Sequence, residues 1–250
     1  MIDGLLSQKD ALDAARGVRG TEEVTEALAR VAWSVIADPG DAVAATLVRE
    51  FGPADGLRFA LDGAGRSWPV VRALGARRAL DEARARWRQR ADPVAVVAAL
   101  RGAQKAGARL LLPGDPDWPT AVDDLDAEAP MVLWVRGRSD LLTSAARVAI
   151  VGARAATAYG ERVAADMAGD LALGDTAVVS GGAYGIDGAA HRAALTVGGG
   201  TIAVLAGGVD RPYPAGHRNL LAGSRSTGSS SARCRVARRR RGGASSRAID

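Results

Sequence analysis

Cysteine is nearly missing from this 250-residue chain: Cys234 is the only one. One thiol cannot build an internal disulfide framework, so the fold is expected to rest on packing, in a reducing, cytoplasmic compartment. No apolar run approaches the ~20 residues that span a bilayer, so no transmembrane helix and no membrane partner are expected. The N-terminal Met1-Ile-Asp-Gly-Leu-Leu-Ser-Gln-Lys-Asp10 lacks a basic stretch followed by an apolar one, and no signal peptide is read there. Two nucleotide signatures are also lacking. Neither G-x-G-x-x-G after a first strand nor G-x-x-x-x-G-K-[ST] occurs, which disfavours nicotinamide binding and phosphate-loop ATP hydrolysis. Lysine is confined to Lys9 and Lys105 beside abundant arginine, which reads as coding bias and not as mechanism.

Basicity is unevenly placed. Residues 223–250 hold eight arginines against one acid, Asp250, so the rest of this chain of net charge +5 is slightly acidic. The high pI belongs to the tail, and any nucleic-acid reading has to stand on local clusters.

What the chain does have is three short apolar runs, each ending in glycine. They are Val148-Ala-Ile-Val-Gly-Ala-Arg154, Ala177-Val-Val-Ser180 running into Gly-Gly-Ala-Tyr-Gly-Ile-Asp187, and Thr201-Ile-Ala-Val-Leu-Ala-Gly-Gly208. Runs of that length read as buried strands, and the segments between them fit helices, giving β-α-β-α-β. Thr157 is placed to cap the first helix with Glu161 in its first turn, Val163, Met167 and Leu171 form its expected buried stripe, and Gly174 closes it. Asp187 is read as the cap of the second helix, which Gly198-Gly-Gly200 ends. In such a sheet the strands are parallel and ligands lie beyond their carboxyl ends, where Gly152, Gly181 and Gly207 would let a phosphate approach the backbone.

The chain before this unit reads in two parts. Residues 1–29 are polar and are expected to be partly disordered. Residues 30–108 are rich in alanine, leucine and arginine with helical spacing, as in Val43, Leu47 and Phe51 or Leu80, Ala83 and Trp87, and predict a small helical domain. Pro39-Gly40, Gly52-Pro53 and Gly63-Ala-Gly65 punctuate it. Residues 109–222 form the α/β unit: Leu110 to Pro119 reads as a turn-rich connector, and Met131 to Gly137 as an entering strand. From Gly223 to Asp250 hydrophobic periodicity ends in a Ser/Arg-rich tail carrying Arg238-Arg-Arg-Arg241, read as disordered and resembling the product of a reading-frame change.

Four groups of residues carry candidate chemistry. Arg154 stands just past a strand end and offers a rigid fork of donors to phosphate; this is preferred over a surface ion pair because Gly152 and the helix start point the same way. Ser180, Gly181, Gly182 and Gly185 supply a hydroxyl and flexible amides fit for an anion nest. Asp187 and His191, four apart, are an acid–base or ligand pair, or more simply a capping aspartate and a packed histidine; with no cysteine or third carboxylate, no metal site is expected. Arg211-Pro-Tyr-Pro-Ala-Gly-His-Arg218 interleaves Arg211 and Arg218 with Tyr213, either to track a single strand while stacking a base or as a proline-stiffened loop with Tyr213 inward. Tyr184 poses the same choice.

Together, Val-Gly-Ala-Arg154, Tyr159-Gly160, Ser-Gly-Gly-Ala-Tyr-Gly-Ile-Asp187, Ala190-His191, Gly199 to Leu205 and Tyr213-Pro214 resemble the DprA/Smf family of DNA-processing proteins over roughly residues 113–221. Residues 30–107 resemble, more weakly, that family's sterile-alpha-motif-like domain. The resemblance implies an α/β fold: a Rossmann-like parallel sheet, here incomplete at its C-terminal end, preceded by a small helical domain. It implies single-stranded DNA binding, loading of RecA during natural transformation, homodimers, no catalytic residues and no cofactor. Carried over by position, Gly152, Arg154, Ser180, Gly181, Gly182, Tyr184, Gly185, Arg211, Tyr213 and Arg218 would line the DNA groove. Two departures stand out. Many members carry a basic residue where Tyr184 stands, and the family's serine-glutamate-leucine-proline-proline-glycine and arginine-asparagine-arginine segments are missing here, so a truncated or frameshifted chain after about Leu221, lacking part of the groove and the dimer interface, is implied. The competing readings are a nucleotide-hydrolysing enzyme of the lysine-decarboxylase-like group, whose proline-glycine-glycine-x-glycine-threonine-x-x-glutamate motif is absent, and an inactive remnant.

Overall fold

The structure, a computed structural model, describes residues 2–20, 23–62, 77–206, 208–210, 214–222 and 231–236. Among these residues seven helices come first: α1 (Ile2–Ser7), α2 (Lys9–Arg19), α3 (Val24–Ile36), α4 (Ala42–Phe51), α5 (Pro53–Asp62), α6 (Arg77–Arg90) and α7 (Pro93–Lys105). Strands β1 (Arg109–Leu111), β2 (Leu133–Gly137) and β3 (Arg147–Ala149) follow, then α8 (Ala158–Leu173), β4 (Ala177–Ser180), α9 (Ile186–Thr196), β5 (Thr201–Val204), α10 (Arg218–Ala222) and β6 (Ser231–Val236).

The helical spacing of the sequence is realised in the packing. Leu47, Leu80, Ala83 and Trp87 are fully buried, and Trp33 and Trp87 meet edge to face at 5.1 Å. Both indole N–H groups donate, Trp33 to the Pro53 carbonyl at 2.9 Å and Trp87 to Asp41 at 3.0 Å, which leaves no polar cost in that core. Asp41 also caps α4 through the Ala44 amide. The arginines of α6 tie neighbouring helix ends together. Arg84 and Arg88 donate to the Ala60 and Leu61 carbonyls at the end of α5, and Arg90 to the Ile36 carbonyl at the end of α3. Carbonyls in the last helical turn lack intrahelical partners, and cations there also suit the helix dipole.

The N-terminal segment departs from the reading as partly disordered. Residues 2–19 form α1 and α2, whose Ile2, Leu5, Leu6, Ala11, Ala14, Ala15 and Val18 join the helical core. Small apolar residues among many charges hid this amphipathic pattern. That core continues into the sheet through Leu110, Leu112, Val132 and Trp134, and Arg19 forks onto Asp115 in the turn after β1. The turn-rich connector also holds a strand, β1, paired antiparallel with β2.

The sheet runs in the order β1-β2-β6-β5-β4-β3, with β3, β4, β5 and β6 parallel and β2 antiparallel to β6. This is the expected Rossmann-like α/β arrangement. One strand comes from the segment read as disordered: Ser231–Val236 lies between β2 and β5, with Cys234 in register with Val135 and Val204. Backbone groups on the facing edges of β2 and β5 need partners, and a segment alternating Ala232, Cys234 and Val236 with Ser231, Arg233 and Arg235 has the period of a strand. The rest of 223–250 lies outside the described residues.

On one face α8 and α9 pack through alanine. Ala168, Ala172, Val178, Ala190 and Ala194 form this cluster, and small side chains let the helices and sheet approach closely. The buried stripe of α8 is therefore Ala164, Ala168 and Ala172, whereas Val163 and Met167 are exposed and Leu171 half-buried, the reverse of the expected register. A larger residue is not always the inward one when two helices are drawn together by alanines. The opposite face packs Ala177 and Ile202 on Leu133, Val135, Leu141 and Leu142.

Candidate nucleic-acid interface

Strands β3, β4 and β5 end side by side, so the segments that follow them share one edge of the sheet. Thr157 caps α8 as expected, accepting from the Gly160 amide at 3.1 Å. At the end of β4 the Ser180 hydroxyl donates to the Ile150 carbonyl at 2.6 Å and is buried. It joins the ends of two strands, with its hydroxyl proton given to backbone.

The glycines here also have a packing reason of their own. A Cβ on Gly152 would lie 2.7 Å from the Ile186 side chain, one on Gly181 2.8 Å from the Asp187 carboxylate, and one on Gly182 3.1 Å from Leu221. On Gly185, at φ +72°, it would meet the Ala153 carbonyl oxygen at 2.3 Å. In each case the room left by hydrogen is filled by the protein itself. The loop amide of Ala183 is likewise engaged, donating to Asp187 at 3.2 Å. Asp187 thus reaches back from the first turn of α9, while Gly185 holds the cap position without a side-chain bond. The aspartate expected at the cap therefore stands inside the helix.

His191 is the packed histidine of the simpler reading. The Thr201 hydroxyl donates to the Val178 carbonyl at 2.9 Å, so it accepts from His191 Nδ1–H at 2.7 Å, and the lone pair of Nε2 is buried without a partner. Burial pushes this imidazole down to about 4, well below the usual histidine value, with Asp187 opposing and His217 and Arg192 reinforcing the shift. No group of three metal-ligating side chains occurs among the described residues.

Tyr184 is half in solvent, at 49% exposure, and its ring meets His217 edge-on at 4.8 Å. Its hydroxyl lies over Gly216, where a Cβ would come within 2.7 Å. His217 is buried; its Nδ1 contacts the Gly182 carbonyl at 3.1 Å and its Nε2 the Arg192 guanidinium at 3.4 Å. Arg154 adjoins the same loop, its carbonyl oxygen 2.6 Å from the Cβ position of Gly185.

The arginines here differ from those elsewhere. The other exposed arginines among the described residues are engaged by oxygen, as are Arg16 by Asp13, Arg78 by Glu82, Arg101 by Asp10, Arg162 by Asp166 and Arg88 by the Leu61 carbonyl. Among the described residues Arg154, Arg192 and Arg218 are exposed and give no bond to any oxygen. Arg192 and His217 were not singled out by sequence reasoning. Their contact joins residues 25 apart in the chain, which no local pattern signals. Arg211 and Tyr213, and Gly207, lie outside the described residues. No helix among the described residues is long and apolar enough to cross a membrane.

Residues 109–230 match the family model described as DNA recombination-mediator protein A. A DNA processing protein DprA of Mycobacterium tuberculosis is 47% identical over 207 residues, covering 76% of this chain and 49% of the relative. Protein Smf of Escherichia coli is 38% identical over 112 residues, 45% of this chain and 30% of its own length. The chain thus spans about half the length, or less, of these curated relatives. In fold it is similar to the crystal structure of DNA processing protein A from Streptococcus pneumoniae, with TM-score 0.57 and 22% identity over 84% of this chain and 66% of that one. Ordered motifs, sheet topology and these likenesses agree: the chain belongs to the DprA/Smf family of DNA-processing proteins.

Proposed function

We propose that this chain binds single-stranded DNA without base specificity at the carboxyl edge of its parallel strands, through Arg154, Tyr184 and Arg218 with Arg211 and Tyr213. Gly152, Ser180, Gly181, Gly182 and Gly185 shape the loops that carry Arg154 and Tyr184. The observation that carries the reading is the set of exposed arginines without oxygen partners around an exposed tyrosine. A cation already bonded to carboxylate has little left for phosphate, whereas a free guanidinium offers a full donor fork. An exposed aromatic face stacks any base, so affinity without sequence preference is the natural outcome. The wider role is that of its family: protecting incoming DNA and helping to load RecA in natural transformation, in the cytoplasm and by binding, not turnover. Burial of His191 and Asp187, the two side chains best suited to acid–base work, supports binding over hydrolysis.

Fluorescence anisotropy with a labelled thymidine oligomer tests this. Affinity is expected to exceed that for duplex and to fall with salt at a slope of about −0.7 per phosphate contacted. Equal affinity for duplex overturns the proposal.

A further inference from the structure

Arg192 lies outside every motif read from the sequence, yet its side chain is set by a specific device against a ring that also meets Tyr184. The Gly182 carbonyl can only accept, so His217 Nδ1 carries the proton, and Nε2 is left as an acceptor 3.4 Å from the Arg192 guanidinium. The ring that makes both contacts is itself seated. A Cβ on Gly188 would lie 2.4 Å from His217 Cε1, so the imidazole fits against α9 only because residue 188 is glycine. Gly188 and Arg192 are four apart on that helix and share a face. The same ring also meets Tyr184, at 4.8 Å between centroids.

We infer that Arg192, steadied by His217, is the phosphate-contacting arm of a single-nucleotide subsite whose base platform is Tyr184; the inference rests on the single-stranded DNA reading above. A histidine acceptor orients a guanidinium without cancelling its charge, which a carboxylate would do. Arg192 is exposed, and the donors not turned to His217 remain for a phosphate. Base and phosphate of one nucleotide then straddle one imidazole, with His217 as a positioning residue that itself touches no DNA.

The test uses the full chain and a labelled thymidine oligomer across a salt series. Arg162→Ala, which removes an exposed arginine paired with Asp166, controls for net charge. Arg192→Ala is expected to weaken binding about tenfold and to reduce the salt slope by about 0.7, with Arg162→Ala near wild type in both. His217→Phe keeps a ring against Gly188 and Tyr184 but loses the acceptor, so it should reproduce part of that loss, and adding it to Arg192→Ala should weaken binding no further. If His217→Phe does not unfold cooperatively, Arg192→Ala against Arg162→Ala decides alone. Should Arg192→Ala behave like Arg162→Ala while Arg154→Ala weakens binding, the subsite is wrong and the DNA-binding reading stands. If the wild-type chain shows no preference for single strands, both fall.

Discussion

An alanine at position 185 would need φ +72° and would drive its Cβ to 2.3 Å from the Ala153 carbonyl oxygen. Backbone cannot retreat as a side-chain tip can, so Gly185→Ala is expected to cost at least ~2 kcal/mol in urea unfolding, close to the upper range for strained backbone. Gly152, Gly181, Gly182 and Gly185 each have a reason in the protein's own close contacts. His191 gives a second expectation at this scale. Its folded value of about 4 lies below the ordinary histidine value, so the unfolded chain binds the extra proton first. Stability is then full above about pH 6.5 and falls as pH drops towards 4, by on the order of 3 kcal/mol from this group. His191→Asn or a similar uncharged variant should flatten that part of a stability–pH curve. A curve unchanged by the substitution would show that the ring is not the group responsible.

Helix α8 shows how an element can be read correctly and yet turned the wrong way. Its bounds and its Thr157 cap were legible because capping chemistry is local. Its facing was not, since Val163 and Met167 promised more burial than Ala164 and Ala168, and only the neighbouring alanine face of α9 reverses the choice. The consequence is measurable. Ala168→Leu should destabilise by roughly 1–3 kcal/mol through overpacking, whereas Met167→Ala, at 55% exposure, should stay within about 0.5 kcal/mol. Thermal unfolding of the two variants separates them; equal effects would put α8 in the register its larger residues suggest. In α6 the same lesson runs through charge: arginines that look like a basic face are turned to the ends of α3 and α5.

At the scale of the whole molecule, the parallel core and the helical spacing before it could be read because strands with glycine ends and regular apolar intervals are patterns of short range. What escaped was long-range: α1 and α2 entering the core, the short β1, and above all β6, whose place between β2 and β5 depends on two edges far away in sequence. Of the residues proposed for the site, Arg154, Tyr184 and Arg218 are exposed and Ser180 is buried, while Arg192 drew no attention in the sequence. The position of β6 also decides how the basic tail can be tested. Removing 231–250 would take a strand from the middle of the sheet, while removing 237–250 leaves Ser231–Val236 in place and still discards the Arg238–Arg241 run. The measurement that bears most directly on the account is therefore the affinity of the 1–236 chain for a thymidine oligomer and for the matching duplex, beside that of the full chain. Loss of diffuse charge should lower both affinities, and the shortened chain should keep its preference for the single strand, because Arg154, Tyr184, Arg192 and Arg218 remain. If the shortened chain unfolds cooperatively but binds neither, the tail alone attracted DNA and the sheet edge is not its binding site.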